Sequence, residues 1–167
     1  MIEVYDDFFD DDIHQEVYSK LMRPNWGISG NNPGKLEIFW HYEGLENEEY
    51  FSEYLYKKIC NKLDTEFKGF ERIYANGQTA GQYGTPHYDD GDLTFLYYPS
   101  PVWDTNWQGH LMFMNETDEV VRVVEHKSNR AVLFTGIIKH YADAPHRWFN
   151  GLRISLAYKL WRIKELS

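Results

Sequence analysis

Short strand-type segments separated by turns fill the second half of the sequence, and this pattern limits the fold more than any other feature. From Phe70 onward, runs of β-branched and aromatic residues alternate with turn residues, which is typical of an all-β sandwich or barrel. The segments predicted to form strands are 71–75, 93–98, 111–114, 119–124, 130–134 and 152–161. The fold class that we expect is mainly β, with a jelly-roll core.

Two amphipathic helices precede these strands. An acidic turn at 10–12 is followed by apolar residues at helical spacing, which predicts a helix to about Met22. A second helix is predicted from Asn47 to near Gly69. Its apolar residues recur every four positions, at Phe51, Leu55, Ile59 and Leu63. We expect both helices to flank the core and to buttress one sheet.

The interval 23–44 interrupts this regularity. It contains Pro24, Pro33 and four glycines, which predicts a loop leading into a strand at about 35–42. Two interpretations stay open: an irregular surface connection, or a flap that covers a substrate.

Length and charge restrict the functional classes. With 167 residues, we expect 1–167 to form a single domain with its own core. The formal net charge of −9 argues against a nucleic-acid partner, because phosphate groups require a basic surface. No apolar run approaches membrane-spanning length, and the start MIEVYDDFF has no signal-peptide pattern. Cys60 is the single cysteine, so no internal disulfide forms, which fits a reducing cytoplasm; the oligomeric state stays open.

His87 and Asp89 form an H-x-D triplet with the spacing of a metal site. Side chains two positions apart point to the same face of an extended strand, so both can bind one ion. A second histidine from a distant strand would complete a 2-His-1-carboxylate triad with three open metal positions. Open positions on Fe(II) suit a bidentate cosubstrate together with dioxygen.

Two histidines compete for the third ligand position. His140 follows the predicted strand 130–134 and a glycine turn, whereas His146 follows Pro145 in a loop. A precise triad is better held at the end of a rigid strand, so we expect His140 to be the ligand and keep His146 as the alternative. His14, on a predicted helix, and His126, in a charged turn, are expected to be solvated.

The last predicted strand carries a second polar pair. Arg153 and Ser155 share one face of it, opposite Ile154 and Leu156. An inward guanidinium would need an anion, and a carboxylate matches its bidentate geometry. The alternative is that Arg153 points to solvent at the start of the strand.

Taken in order, these motifs resemble the iron(II)- and 2-oxoglutarate-dependent oxygenases, and within them the prolyl-hydroxylase-like branch. The matching segments are His-x-Asp at 87–89, Leu-Tyr-Tyr-Pro-Ser-Pro-Val-Trp-Asp at 96–104, Phe-Thr-Gly-x-x-x-His at 134–140 and Arg-x-Ser at 153–155. The segment Tyr-Asp-Asp-Phe-Phe at 5–9 is similar to the start of that domain. One departure is Gln108-Gly109-His110, where the family frequently has Gly-Gly-acid. Another is the thirteen-position gap from His140 to Arg153, which keeps His146 in consideration.

The resemblance implies a double-stranded β-helix that uses Fe(II), 2-oxoglutarate and dioxygen, with ascorbate as an assay additive. The implied metal ligands are His87, Asp89 and His140, with no catalytic residue beyond them. Arg153, Tyr98 and Ser155 are implied to bind the cosubstrate, and Tyr74 and Asn76 to face the cosubstrate or substrate.

The activity implied by the resemblance is hydroxylation of a prolyl or other amino-acid residue in a peptide or protein, with a small-molecule substrate still open. Fold alone does not decide the function. The alternatives are a non-catalytic metal-binding jelly-roll module and a metal-dependent sugar-binding or isomerase-type jelly roll, whose sites usually bring more histidines.

Overall fold

The computed structural model describes residues 1–29 and 38–163, and ten strands and two α-helices lie within them. The strands are β1 (Ile2–Tyr5), β2 (Gly27–Ser29), β3 (Phe39–Tyr42), β4 (Phe67–Gln78), β5 (Leu93–Tyr98), β6 (Leu111–Met114), β7 (Val120–Val124), β8 (Arg130–Thr135), β9 (His140–Ala142) and β10 (Arg153–Arg162). The helices are α1 (Asp11–Leu21) and α2 (Tyr56–Leu63). A π-helical segment (Tyr50–Leu55) leads into α2, and short 3₁₀ turns span Leu45–Asn47 and Thr105–Trp107.

Two antiparallel sheets form the body of the fold. The larger sheet has the order β1-β8-β5-β10-β4-β3-β2, and the smaller one has the order β7-β6-β9. Strand β10 lies in the middle of the larger sheet and pairs with β4 on one side and β5 on the other. The predicted mainly-β, jelly-roll class is confirmed.

The larger sheet separates two hydrophobic cores, because alternate side chains of a strand point to opposite faces. On β8, Ala131 and Leu133 pack toward the helices, whereas Val132 and Phe134 pack between the two sheets. The helix-side core is the larger of the two. The hydroxyl of Tyr158 in β10 donates to the carbonyl of Phe51 (2.9 Å), which fastens the helical layer to the central strand.

The predicted strand positions agree well with the structure. The bounds 93–98 and 111–114 are reproduced to the residue, and three further strands differ by one or two residues at their ends. The first predicted strand, 71–75, is longer than expected and spans Phe67–Gln78. Residues 30–37, which carry much of the loop and flap interpretation, lie outside the described residues. The strands on either side of them, β2 and β3, pair antiparallel.

The second helix is shorter than predicted. It ends at Leu63 rather than near Gly69, because Asp64 adopts a left-handed conformation (φ 46°) and Phe67 already begins β4. No helix among the described residues is long and apolar enough to cross a membrane.

Candidate metal centre and cosubstrate pocket

A backbone bridge brings His87 next to His140. The N–H of each residue donates to the carbonyl of the other, and both N···O distances are 3.0 Å. In antiparallel strands such an exchange marks a directly opposed pair of residues. Residues 53 positions apart in the sequence are therefore fixed side by side, with ring centroids 4.5 Å apart.

His87 and Asp89 do not lie on a regular strand, so that part of the prediction is wrong. The segment between β4 and β5 is a loop in which His87 forms an isolated bridge. Pro86 has no N–H for a ladder, and Gly91 turns the chain with φ 80°. The N–H of Asp89 instead donates to the carbonyl of Gly136 (3.0 Å), which fixes this carboxylate beside the histidines.

Both histidine rings turn the same nitrogen toward Asp89. His87 Nδ1 lies 2.8 Å from the carbonyl oxygen of Thr85, and His140 Nδ1 lies 2.8 Å from the carbonyl oxygen of Ile138. A carbonyl only accepts, so Nδ1 carries the proton in each neutral ring and Nε2 presents its lone pair. This is the tautomer that a metal ligand requires.

The three side chains have the spacing of a metal site. His87 Nε2 lies 3.4 Å from Asp89 Oδ1, and His140 Nε2 lies 3.3 Å from Asp89 Oδ2. All three donor atoms lie within 4.8 Å of one another. Ligands about 2.1 Å from one ion and at right angles to each other are separated by roughly 3 Å. The set fits a divalent cation bound through two imidazoles and one carboxylate.

Lys159 and Thr94 complete the surroundings of Asp89, and the sequence reasoning missed both. The ammonium of Lys159 contacts Asp89 Oδ2, and the hydroxyl of Thr94 donates to the same oxygen (2.6 Å). Lys159 also donates to Thr94 Oγ1 (3.1 Å), and its side chain is only 2% exposed. The period-two alternation of β10 was the available signal, since Lys159 lies on the same face as Arg153 and Ser155.

These contacts set the charge of the site. Burial alone would raise the pKa of Asp89, but the neighbouring His140 and His87 side chains and the charge of Lys159 hold that pKa well below its ordinary value. Burial lowers the pKa of His87, yet its bonds to Asp89 and Thr85 outweigh burial and raise the pKa above its ordinary value. Asp89 is therefore a carboxylate at neutral pH.

The side chain of Arg153 is buried, and it can still donate a hydrogen bond to a ligand. It is 0% exposed, so the alternative that it points to solvent is wrong. Its Nε donates to the carbonyl of Gly109 (2.7 Å) and Nη1 to Oε1 of Gln78 (2.8 Å). In the described part of the chain, Nη2 has no hydrogen-bond acceptor and no carboxylate lies within ion-pair distance. A buried guanidinium without an anion is costly, which suits it to a carboxylate ligand.

Tyr98 lies against Arg153 and supplies a second polar group. Its ring centroid is 5.3 Å from the guanidinium carbon, and its hydroxyl, fully buried, makes no hydrogen bond within the described ranges. Burial raises the pKa of Tyr98 while the charge of Arg153 opposes that rise, so the hydroxyl keeps its proton. A carboxylate could therefore accept from Arg153 and Tyr98 together.

One cavity of about 520 Å³ extends beside His87 and Asp89 and reaches Gln78, which binds Arg153. His87 and Asp89 line it on the metal side, and Ser155 and Gln78 line it on the side of Arg153. The remaining lining residues are polar or charged for the most part, among them His41, Glu43, Glu46, Arg72, Tyr74, Asn76 and Tyr88. Tyr74 and Asn76 both line this cavity; that they face the cosubstrate or substrate stays a prediction.

Two histidines that were expected to be solvated are buried. His14 is 7% exposed and lies on the inner face of α1, where its Nδ1 is 2.5 Å from the hydroxyl of Tyr97. His126 is 2% exposed and lies against the rings of Tyr98 and Trp103, with centroid distances of 4.0 and 3.9 Å. The spacing of His14 to Val17 and Leu21 was a signal for the first. Nothing local in the sequence indicated the second.

His146 lies apart from the cluster. Its N–H donates to the carbonyl of Trp107 (2.8 Å), and its ring makes an edge-to-face contact with Trp148, with centroids 4.5 Å apart. Of the two candidate histidines, His140 is the one that the fold brings to Asp89.

Residues 72–158 match the family model of the 2OG-Fe(II) oxygenase superfamily. A search of curated proteins found no match. Among solved structures, a prolyl hydroxylase from Trichoplax adhaerens, in complex with a peptide fragment of the hypoxia-inducible factor oxygen degradation domain, superposes with a TM-score of 0.70 at 16% identity, covering 96% of this chain and 83% of that one.

Two further solved structures have the same fold. A Pseudomonas putida prolyl-4-hydroxylase gives a TM-score of 0.69 at 14% identity and covers 97% and 92% of the two chains. HygX from Streptomyces hygroscopicus, with nickel and 2-oxoglutarate bound, gives 0.71 at 12% identity and covers 96% and 82%. At these identities the likeness concerns the fold.

Proposed function

The chain belongs to the 2OG-Fe(II) oxygenase superfamily, and from this premise we propose that it hydroxylates a prolyl or other amino-acid residue in a peptide or protein. As a member of that family it is an oxygenase that uses Fe(II), 2-oxoglutarate and dioxygen, rather than a non-catalytic metal-binding module. The single observation that carries the residue assignments is the pairing of a His-Asp-His cluster with a buried Arg153 that lacks an anion, where His87, Asp89 and the Arg153 partner Gln78 line one cavity.

His87, Asp89 and His140 would hold the iron. Fe(II) bound there would supply the activation of dioxygen, coupled to decarboxylation of 2-oxoglutarate. The protein's own contribution is geometric: two imidazoles whose tautomers are fixed by carbonyls, and one ionised carboxylate fixed by Lys159 and Thr94.

Arg153, Tyr98 and Ser155 would hold the far carboxylate of the cosubstrate. Arg153 has a free N–H and an unbalanced charge, and the neutral Tyr98 hydroxyl can donate. Ser155, two positions from Arg153, lines the cavity between this anion site and the metal. The hydrogen bonds to Gly109 and Gln78 hold the guanidinium in place, so the anion site is preorganised before the ligand binds.

A peptide or protein segment is the substrate class that we propose. The cavity contains the groups that would contact a substrate: Tyr74, Tyr88 and Asn76 lie near His87 and offer aromatic faces and an amide. The prolyl hydroxylase from Trichoplax adhaerens, with the same fold, binds a peptide fragment. We also propose that residues 1–167 form one domain and that the protein acts in the cytoplasm, where Cys60 stays reduced.

The experiment is a coupled screen. The protein, Fe(II), ascorbate and 2-oxoglutarate are incubated with a library of proline-containing peptides, and succinate release and peptide mass are both recorded. A peptide that gains one oxygen atom in step with succinate supports the proposal. Succinate release that a chelator abolishes, without any modified peptide, would contradict a peptide substrate but remain consistent with an oxygenase.

A small cationic substrate is the second candidate, favoured by the acidic side of the cavity. Glu43 and Glu46 line it, and neither forms an ion pair with any described lysine, arginine or histidine. Arg72, also in the lining, is already paired with Asp90 (3.0 Å). HygX, with the same fold, has been solved with hygromycin B bound. Aminated sugars and free basic amino acids therefore belong in the same screen.

A further inference from the structure

Lys159 is a buried cation whose partner is the carboxylate of the candidate metal site. Its side chain is 2% exposed, and Asp89 is its ion-pair partner among the described residues. A buried ammonium needs a compensating anion and hydrogen-bond acceptors. Asp89 Oδ2 and Thr94 Oγ1 meet both needs, and Thr94 donates its own proton to the same carboxylate oxygen.

The two oxygens of Asp89 are consequently unequal. Oδ2 accepts from Lys159 and Thr94 and lies 3.3 Å from His140 Nε2, whereas Oδ1 lies 3.4 Å from His87 Nε2 and contacts neither Lys159 nor Thr94. A carboxylate oxygen that already accepts two bonds has little capacity left for a metal ion. Thr94 and Lys159 are held on the paired strands β5 and β10, where they face each other directly in the ladder. The arrangement around Oδ2 is therefore rigid.

We propose that Lys159 is a positioning residue that occupies Asp89 Oδ2, so that the metal binds Asp89 through Oδ1 alone, and that its charge couples metal binding to cosubstrate binding. This inference rests on the proposed ligand set of His87, Asp89 and His140. Monodentate binding leaves more of the coordination sphere for the cosubstrate and dioxygen.

The coupling follows from formal charges. With neutral histidines, Asp89 and Lys159 cancel each other, so a divalent ion leaves two positive charges at the centre. 2-Oxoglutarate is a dianion; its far carboxylate is assigned to Arg153, and its other carboxylate brings one negative charge to that centre. Without Lys159, the same ion would leave a single positive charge and would attract the dianion less. Since the two binding equilibria are linked, the cosubstrate must tighten metal binding by the same factor as the metal tightens cosubstrate binding.

The test is a binding cycle with Co(II), which replaces Fe(II) without oxidation during the measurement. Calorimetry gives the affinity of Co(II) with and without 2-oxoglutarate for the parent protein, Lys159→Met, Lys159→Gln and Lys159→Arg. Lys62→Met is the matched control, because Lys62 pairs with Asp10 at the exposed surface. Circular dichroism establishes that each variant is folded.

We expect 2-oxoglutarate to tighten Co(II) binding at least tenfold more in the parent, Lys159→Arg and Lys62→Met than in the two neutral variants. An equal factor in a folded neutral variant would overturn the proposal. If both neutral variants fail to fold, a crystal structure of the Co(II)-loaded parent decides. If Asp89 binds the metal through one oxygen while Lys159 contacts Oδ2, the proposal is supported. If Asp89 binds the metal through both oxygens, or if Lys159 no longer contacts Oδ2, the proposal is refuted. A parent that binds no Co(II) would instead contradict the proposed ligand set.

Discussion

Replacement of Arg153 by leucine tests the cosubstrate assignment most directly. The guanidinium is fully buried, with two of its N–H groups on Gly109 and Gln78 and Nη2 left for a ligand. Truncating one partner of a buried, hydrogen-bonded charge pair costs about 2–5 kcal/mol of binding free energy. We therefore expect the dissociation constant of 2-oxoglutarate to rise roughly 30- to 4,000-fold.

We expect Arg153→Leu to reduce the stability of the folded apo protein less than it weakens 2-oxoglutarate binding. Arg153→Leu leaves the Gly109 carbonyl and the Gln78 amide oxygen without a donor, at a cost of about 1–3 kcal/mol each. It also removes a buried charge that has no anion, which offsets part of that loss. The apo variant should thus remain folded, and Arg153→Lys, which keeps the charge but not the fork of donors, should lie between parent and leucine variant in cosubstrate affinity.

The assay is calorimetric titration of 2-oxoglutarate into Co(II)-loaded protein, with Co(II) affinity measured beforehand in the absence of cosubstrate. Arg162→Leu is the control, because Arg162 lies at the exposed far end of the same strand. Metal affinity should be nearly unchanged in all variants. If Arg153→Leu binds 2-oxoglutarate as the parent does, the far carboxylate is held elsewhere and the reasoning from the unpaired guanidinium is refuted.

Three further predictions concern the ligand histidine, a glycine and pH. His140→Ala should lose tight metal binding and all turnover, whereas His146→Ala should keep the metal and at most impair substrate handling; metal stoichiometry on the folded variants distinguishes them, and the reverse result would give the ligand role to His146. Gly109→Ala would place a Cβ 2.9 Å from Arg153 Cδ at φ 74°, so it should weaken 2-oxoglutarate binding as well as lower the melting temperature. Gly81→Ala is the control, because Gly81 has a similar φ of 80° but no atom within 4 Å of an added Cβ. It should show the cost of the backbone strain alone, about 1–2 kcal/mol of stability. Equal 2-oxoglutarate affinity in the two alanine variants would contradict a contact between the Cβ at position 109 and Arg153. Burial lowers the pKa of His14 and His126, so the unfolded chain binds more protons and the apo protein should lose stability as the pH falls below about 6.5. His87, with its raised pKa, changes the stability in the opposite sense. The contribution of His14 alone is therefore measured by comparing the melting temperatures of His14→Gln and the parent between neutral and mildly acidic pH. If the melting temperature depends on pH equally in both proteins, the predicted contribution of His14 is contradicted.

The parts of the fold that follow local rules were predictable from the sequence. Strands β5 and β6 were located to the residue, because alternation and flanking turns are local signals. The second helix was overextended because its apolar spacing gave no sign of the left-handed turn at Asp64. Secondary-structure boundaries depend on such single conformations, which periodicity does not encode.

The candidate site was predictable where ligand types recur at fixed spacing, and was missed where only the fold brings side chains together. His87, Asp89 and Arg153 were identified from their spacing and chemistry. Lys159 was overlooked because a lysine in a strand ordinarily faces solvent, and its burial results from long-range pairing of β10 with β5. His126 was misplaced for the same reason, since Tyr98 and Trp103 cover it from other parts of the chain.

The bridge between His87 and His140 has a consequence for how such an enzyme can evolve. Its hydrogen bonds join main-chain atoms only, so the side chain of Tyr88, between His87 and Asp89, takes no part in holding His87 beside His140. Tyr88 is 61% exposed and lines the cavity. Natural selection can therefore exchange this residue and alter which molecules are accepted, while the positions of the proposed iron ligands His87 and His140 are inherited unchanged.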